Sequence, residues 1–433
     1  MWDFSTDADF QEKLDWMATF VREECEPLDL LFGHAGDPYD VDNQAARKIL
    51  KPLQERVQEE GLWACHLGPE LGGQGYGQVK LGLMNEILGR SYWAPTVFGT
   101  AAPDTGNAEI LAMFGTQEQK DRYLQPLLDG DIVSCFSMTE PQAGSDPKEF
   151  TCRATKDGDS WVIEGEKWFS SNARYAEFLI VMAVTDPTAR AHQRLSMFIV
   201  PKETPGLKIV RNVATMLERP ELDEGTHAYI HYDQVRVPAD HMLGGVGEGF
   251  TVAQARLGGG RVHHAMRTVG KCQRALDMMC ERALSRRTQG ELLADKQAVL
   301  HYIADSRIEL EQFRLLVLKT AWVIDNQPHG TAREYIAMCK VQMAKIYHDI
   351  IQRAIQVHGS LGTTTELPLY DWWAGGLSLA LADGPTEVHK NGVGKQTLKG
   401  YTAAPGLFPT EHIPPRLEAV RAKYADVVEE FAL

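Results

Sequence analysis

The chain has 433 residues, 44% of them hydrophobic and 24% charged, with a formal net charge of −15 at pH 7. That length predicts two or three domains with shared or abutting cores, and the ordinary composition excludes a low-complexity or disordered chain. The acidic balance argues against a nucleic-acid partner, whose phosphates need a basic face, yet leaves room for one anionic cofactor on a few placed cations.

The seven cysteines are scattered, and no C-x-x-C pair occurs. This pattern reads as reduced thiols in a cytosol-like compartment, not as a disulfide framework or a zinc site. The N-terminus, from Met1 through Trp2 and Phe4 to Glu12, is acidic and fits neither a secretory signal nor an Arg-rich transit peptide. No stretch approaches the roughly 20 apolar residues of a bilayer span. The expectation is a soluble cytoplasmic protein.

In chain order, residues 1–133 predict helices joined by Gly- or Pro-rich loops. Phe10, Leu14, Met17 and Phe20 recur at helical spacing, and Ala46 to Val57 repeats the pattern before a loop at Leu67 to Tyr76. From Ile132 to Val237 the texture turns to short β-branched and aromatic runs: Ser160 to Glu164, Phe178 to Val184, Leu195 to Val200 and Ala228 to Tyr232. Turn formers at Lys156 to Asp159 and Pro205-Gly206 separate them, so residues 134–243 predict an all-β domain. Helix returns after Gly249, with amphipathic runs at Val262 to Arg286, Lys296 to Asn326 and Thr331 to His358, and a shorter one after Pro385. Together they predict a four-helix bundle over residues 244–400. The stretch 401–433 is a Pro-punctuated extension ending in one more helix-like segment. The whole is an α+β multidomain chain.

Several segments could carry chemistry. Thr139-Glu140-Pro141-Gln142-Ala143-Gly144, followed by Ser145-Asp146, joins hydroxyls to small residues that let backbone N–H groups approach a ligand; it reads equally as a polar turn. Lys167 to Asn172 sets Trp168 and Phe169 beside hydroxyl and amide donors, which suits a flat heteroaromatic ring but also suits a core strand. Arg286-Arg287-Thr288-Gln289-Gly290, seven residues before Gln297, is either a phosphate site or a solvated helix end. In Asp383-Gly384-Pro385-Thr386-Glu387, Asp383 stands just before a helix, either pointing a carboxylate into a cavity or serving as an N-cap. Glu387 would favour the first turn through the helix dipole.

Other features are set aside. His227 and His231 alternate as in a strand, His263-His264 fall on adjacent helix faces, and Gly258-Gly259-Gly260 follows no strand and is no phosphate loop.

The order and spacing of the blocks together resemble the acyl-CoA dehydrogenase family over roughly residues 5–400. The blocks are Leu71-Gly72-Gly73-Gln74-Gly75, Gly106-Asn107, Gly115 to Lys120, Leu124 to Leu128 and Met138 to Pro141. They continue with Gly144 to Asp146, Val235 to Pro238, Gly247 to Phe250, and then Arg286, Gln297 and Gln356 to Gly359. The resemblance implies an N-terminal helical domain, a central β domain and a C-terminal four-helix bundle, with FAD between the last two. It implies that Phe136, Met138 and Thr139 line the flavin, that Gly144 and Ser145 contact its pyrophosphate, and that Phe169 stacks on the ring near Ser171. Gln356, Gly359, Thr386 and Glu387 complete the implied cofactor set, while Ser145, Arg261 and Gly384 fall on the substrate side. Arg286 and Gln297 match residues that reach the FAD of a neighbouring subunit, which implies a homodimer or homotetramer. Gln289 stands where the family commonly has Phe, so that contact is a departure.

Most of the family places a catalytic Glu before the Gly-Thr of its last motif; here the run is Asp383-Gly384-Pro385-Thr386. A minority places the Glu at the position of Gly260, which cannot act as a base. The resemblance therefore assigns the base to Asp383. The Asp-Gly-Pro run is similar to a subgroup whose vertebrate members carry an additional kinase-like domain, which these residues do not contain. The implied reaction is α,β-dehydrogenation of an acyl-CoA in fatty acid metabolism. Asp383 would take the α-proton, the flavin would take the β-hydride, and an electron-transferring flavoprotein would be the acceptor. The Asp383 N–H and a ribityl hydroxyl would polarise the thioester carbonyl. The subgroup admits 4-hydroxyacyl or other unusual acyl groups. Two rival readings share the fold: an oxidase of a non-CoA substrate, like nitroalkane oxidases, and a catalytically silent FAD-binding assembly subunit.

Overall fold

The computed structural model describes residues 4–33, 38–71, 73–216, 218, 225–328 and 330–431. Met1 and Trp2 of the acidic N-terminus and Gly72 of the Gly-rich loop lie outside the described residues.

The N-terminal region builds a helical layer. Helix α1 (Ala8–Phe20) starts at Asp7, whose carboxylate accepts from the Phe10 N–H at 2.9 Å, and it buries Phe10, Leu14, Met17 and Phe20. These four, one helical turn apart, form a core with α2 (Gln44–Glu59) and α3 (Gly77–Leu88). Helix α4 (Asp104–Phe114) follows. The regular spacing read from the sequence gives both α1 and α2.

The central region is one sheet of β1 (Ser134–Ser137), β2 (Arg153–Asp157), β3 (Ser160–Ser171), β4 (Phe178–Val184), β5 (Leu195–Pro201), β6 (Leu207–Val213), β7 (His227–Pro238) and β8 (Met242–Leu243). Its order is β6-β7-β3-β1-β4-β5-β8, with β2 pairing β3 and β4. β4 is buried at every position because both faces of the sheet are covered. Phe178, Ile180 and Met182 face α4 and Val252-Ala253, while Leu179, Val181 and Ala183 face the core built with β7. β3 and β7 run well beyond the segments the sequence suggested, and the short strands β1, β2 and β6 are additions to them.

Helices α5 (Gly249–Ser285), α6 (Gln297–Asn326) and α7 (Arg333–His358) pack on one another and bury an apolar core from Val262 to Leu369. α5 begins at Gly249, where the sequence has helix return, and runs through Gly258-Gly259-Gly260 into the amphipathic run from Val262. α3 lies against α5 and α6. A Cβ at Gly270 would sit 1.8 Å from the Glu86 carbonyl oxygen, and one at Gly89 2.1 Å from that of Arg267, so glycine permits this close crossing. α8 (Leu369–Gly376), absent from the sequence reading, leads to the Asp383 turn and α9 (Thr386–Leu398), which buries no side chain.

Residues 391–433 form a unit of their own. In it the single predicted terminal segment is two helices, α10 (Ile413–Lys423) and α11 (Ala425–Phe431).

Candidate active site

The turn between α8 and α9 carries Asp383 at φ +55° and Gly384 at φ +99°. Glycine is required at 384: the backbone is left-handed, and a Cβ would meet His389 Nε2 at 2.9 Å. α9 starts at Thr386, and the Asp383 carboxylate accepts no hydrogen bond among the described residues, so the N-cap alternative does not describe it. Its backbone N–H also donates to nothing among the described residues.

The turn is held from three sides. Arg261 on α5 donates an N–H to the Asp383 carbonyl at 2.8 Å, His389 Nε2 lies 3.2 Å from the same oxygen, and Lys340 Nζ on α7 donates to the Leu379 carbonyl. The Thr386 hydroxyl, expected at the cofactor, donates to the Ala380 carbonyl at 3.3 Å. Glu387 is exposed in the first turn of α9.

Asp383 lines a cavity of about 330 Å3 together with Ser171, Gly106, Gly260 and Arg256. It is the one carboxylate among the lining residues. Gly260 faces the same space, and a Cβ added there would meet nothing within 4 Å. Both family positions for a base therefore open on one cavity.

Much of the wall is polar in a way the sequence reading did not foresee. Arg256, Gly260, His263, His264 and Arg267 all line it, at three- and four-residue spacing along one face of α5. Tyr39 and Tyr92 stand in the lining as well. Arg256 stacks 4.0 Å from the centre of the Phe136 ring, and its Nε donates to Asn107 Oδ1 at 2.9 Å. Asn107 in turn donates to the Ser134 hydroxyl, which donates to Asp104 at 2.6 Å.

Burial lowers the pKa of Arg256 and Arg261, with Asp383 opposing it in both, and lowers Arg267 to about 10. Burial, reinforced by the Arg267 charge, holds His263 at about 3 and His264 at about 4, so both imidazoles are neutral at neutral pH. On α4, burial raises Glu109 to about 7 against the pull of Arg256.

The residues assigned to the flavin are brought together at the same end of the sheet. Phe136 on β1 pairs with Ser171 on β3, and the Thr139 carbonyl accepts from the Trp168 N–H at 2.8 Å. Between Lys167 and Ser170 the β3–β7 ladder slips by one residue, a bulge that sets Phe169 at φ +50° with 48% of its surface exposed. An exposed aromatic held in a strained backbone is a feature that function explains better than packing does. The Gly144 and Ser145 N–H groups donate to nothing among the described residues, and a Cβ at Gly144 would meet open space.

The loop that carries these N–H groups is closed by a buried ion pair. Lys167 Nζ bonds Glu140 Oε1 at 2.8 Å and the Met138 carbonyl at 2.8 Å. Glu140 also accepts from the Thr151 N–H at 2.7 Å and the Cys152 N–H at 3.1 Å. An aromatic face at Phe169, hydroxyls at Thr139 and Ser171 and free N–H donors at Gly144 and Ser145 fit a flat ring joined to a pyrophosphate.

Arg286, Gln289 and Gln297 lie elsewhere, at the connection of α5 to α6, where all three are exposed. Gln289 at φ +53° and Gly290 at φ +82° form the turn of a small hairpin. Gln356 and Gly359 sit at the end of α7. Among the described residues no hydrogen bond joins any of these five to residues 134–171. All seven cysteines are unpaired, His227 and His231 lie on β7, and among the described residues no helix is long and apolar enough to cross a membrane.

A helical domain, a sheet covered on both faces and a helical bundle enclose this site, and each part has its counterpart in one family of oxidoreductases. The chain matches the acyl-CoA dehydrogenase N-terminal domain over residues 8–131, the middle domain over 135–233 and the C-terminal domain over 247–398. It belongs to the acyl-CoA dehydrogenase family. It is 39% identical over 398 residues to acyl-CoA dehydrogenase family member 11 of Rattus norvegicus, covering 90% of this chain and 50% of that one. It is 41% identical over 371 residues to the Mycobacterium tuberculosis protein named "Probable acyl-CoA dehydrogenase FadE2", covering 85% and 89% of the two chains. A solved Mycobacterium abscessus structure, 37% identical, superposes with a TM-score of 0.83 over 92% of this chain and 100% of that chain. The chain thus spans about half the length of the vertebrate relatives it matches.

Proposed function

We propose that the protein dehydrogenates an acyl-CoA thioester between its α and β carbons, with FAD bound and Asp383 as general base. The observation that carries the reading is that Asp383 is the one carboxylate among the described residues lining the cavity, which Ser171 and the open position at Gly260 also line. Phe136, Met138, Thr139, Gly144, Ser145, Phe169 and Ser171 would hold the FAD, and Arg286, Gln297, Gln289, Gln356 and Gly359 would serve the cofactor of a neighbouring subunit in a homo-oligomer. Bound FAD supplies the two-electron hydride acceptor.

The chain's own part is positioning and proton chemistry. Asp383 takes the α-proton. Its free backbone N–H is available to polarise the thioester carbonyl as negative charge develops there. Gly384 leaves room for the thioester at the turn. Arg261 fixes the turn through the Asp383 carbonyl. Electrons leaving the enzyme would pass to an electron-transferring flavoprotein.

The acyl group carries a hydroxyl or another polar substituent. Arg256, His263, His264 and Arg267 line the cavity; the two arginines donate to Asn107, Asn85 and Thr100, but His263 Nε2 has no partner among the described residues, and a plain alkyl chain would leave it unpaired.

Anaerobic bleaching of the bound flavin against a panel of acyl-CoAs tests the reading. The expected result is reduction by acyl-CoA, faster with a 4-hydroxyacyl than with a straight-chain thioester of equal length. Absence of bleaching with every thioester would overturn it. Oxygen consumption on a non-CoA substrate would replace it with an oxidase.

A further inference from the structure

Lys340 has no part in the chemistry described above, yet it is among the most deeply placed cations in the protein. It sits on α7 with 2% of its surface exposed, and its ammonium donates to the Leu379 carbonyl at the start of the Asp383 turn. Four residues later Arg261, from α5, donates to the Asp383 carbonyl. Two cations from two bundle helices thus hold opposite ends of one short turn. The turn needs that hold, because a non-glycine residue in the left-handed region costs about 1–3 kcal/mol and persists only where its surroundings over-determine it. Leu381 and Ala382 donate N–H groups to the Ser378 carbonyl at 3.0 and 2.9 Å, so the turn also has internal bonds that report its integrity.

Burial lowers the pKa of Lys340; the Asp383 charge opposes that and Arg261 reinforces it. The groups that act on or beside Asp383 are Arg256, Arg261 and His264 from α5, Lys340 from α7 and His389 from the first turn of α9. Burial keeps the two histidines below their ordinary range, so the cations at neutral pH are the two arginines and Lys340.

We propose that Lys340 is the positioning residue of the base turn, fixing where the Asp383 carboxylate stands. The inference rests on the reading of Asp383 as base. It adds that the base is set by a residue outside its own loop, on a helix from which no described residue lines the cavity.

The test uses the FAD-loaded full chain. In Lys340→Met, hydrogen exchange at Leu381 and Ala382 should accelerate at least about tenfold with no substrate present, while exchange in the β domain stays as in the wild type. Flavin reduction by the best acyl-CoA of the panel should slow by about 10- to 100-fold, the scale of a misplaced reacting group. Lys340→Arg, which keeps the charge and a donor, should recover most of the rate and the wild-type exchange. Wild-type exchange in Lys340→Met would overturn the proposal. Should Lys340→Met not yield folded holoprotein, the shorter Lys340→Gln takes its place; exchange at Leu381 and Ala382 must then accelerate, and wild-type exchange overturns the proposal. If Asp383→Asn reduces its flavin normally, the base reading fails by itself, and the exchange result still decides whether Lys340 sets the turn.

Discussion

Replacing Asp383 with Asn separates the chemistry from the fold. Asn tolerates the left-handed backbone at φ +55° about as well as Asp does, and the wild-type carboxylate accepts no hydrogen bond that the amide would lose. What disappears is basicity, together with a counter-charge that opposes the burial penalty of Arg256, Arg261 and Lys340. Because the side chain is half-exposed, that second loss should cost about 1 kcal/mol of stability. Loss of a positioned base should slow flavin reduction by about 10²- to 10⁴-fold, a barrier increase of about 2.7–5.4 kcal/mol. Anaerobic stopped-flow reduction at saturating acyl-CoA gives the rate, and thermal melting with FAD titration gives the rest. Glu387→Gln, on the exposed first turn of α9, serves as the control and should keep most of the single-turnover rate. An Asp383→Asn variant that reduces at the wild-type rate, with Glu387→Gln slowed, would refute the assignment.

Three further outcomes follow from the same geometry. In Asp383→Gly, which suits the positive φ, adding Gly260→Glu should recover at least about tenfold of the lost reduction rate, because position 260 faces the same cavity with room for a side chain; no recovery would mean the two positions do not share a substrate. Arg286→Ala should weaken FAD retention about tenfold, read by ultrafiltration of the yellow protein, and Gln297→Ala should do so more mildly; unchanged affinity would make Arg286 a solvated helix end. His263→Gln should flatten the acid side of the stability curve. The native imidazole stays neutral to about 3 while the unfolded one protonates near 6.5, so stability present above pH 6.5 is lost as pH falls toward 3. The difference from wild type should grow by about 1.4 kcal/mol per pH unit in chemical denaturation, and parallel curves would refute it.

How far the sequence reveals this site depends on how local each signal is. Phe10, Leu14, Met17 and Phe20 announce α1 because one helical turn repeats, and Phe178 to Val184 announces β4 because both its faces are buried. The Asp383-Gly384-Pro385 run is equally local, since Gly384 answers a backbone angle. Short strands such as Ser134 to Ser137 have too few residues to show a period. The polar wall leaves less trace. A stripe of Arg256, His263, His264 and Arg267 on a helix reads as a solvent face, and only the close crossing at Gly89 and Gly270 turns it inward. The polar run at three- and four-residue spacing was the available signal, and the tertiary contact that gives it meaning has no sequence-local trace.

The ion pair of Glu140 and Lys167 has a consequence for the apoprotein. Because that pair ties the Met138 carbonyl to the Thr151 and Cys152 N–H groups within the chain, the loop carrying Gly144 and Ser145 keeps its outline with no dinucleotide to template it. The loop is then shaped by the chain itself before any cofactor binds. Binding should be a single collision-limited event whose rate rises linearly with added FAD, without the saturating hyperbola of a receptor that must first rearrange.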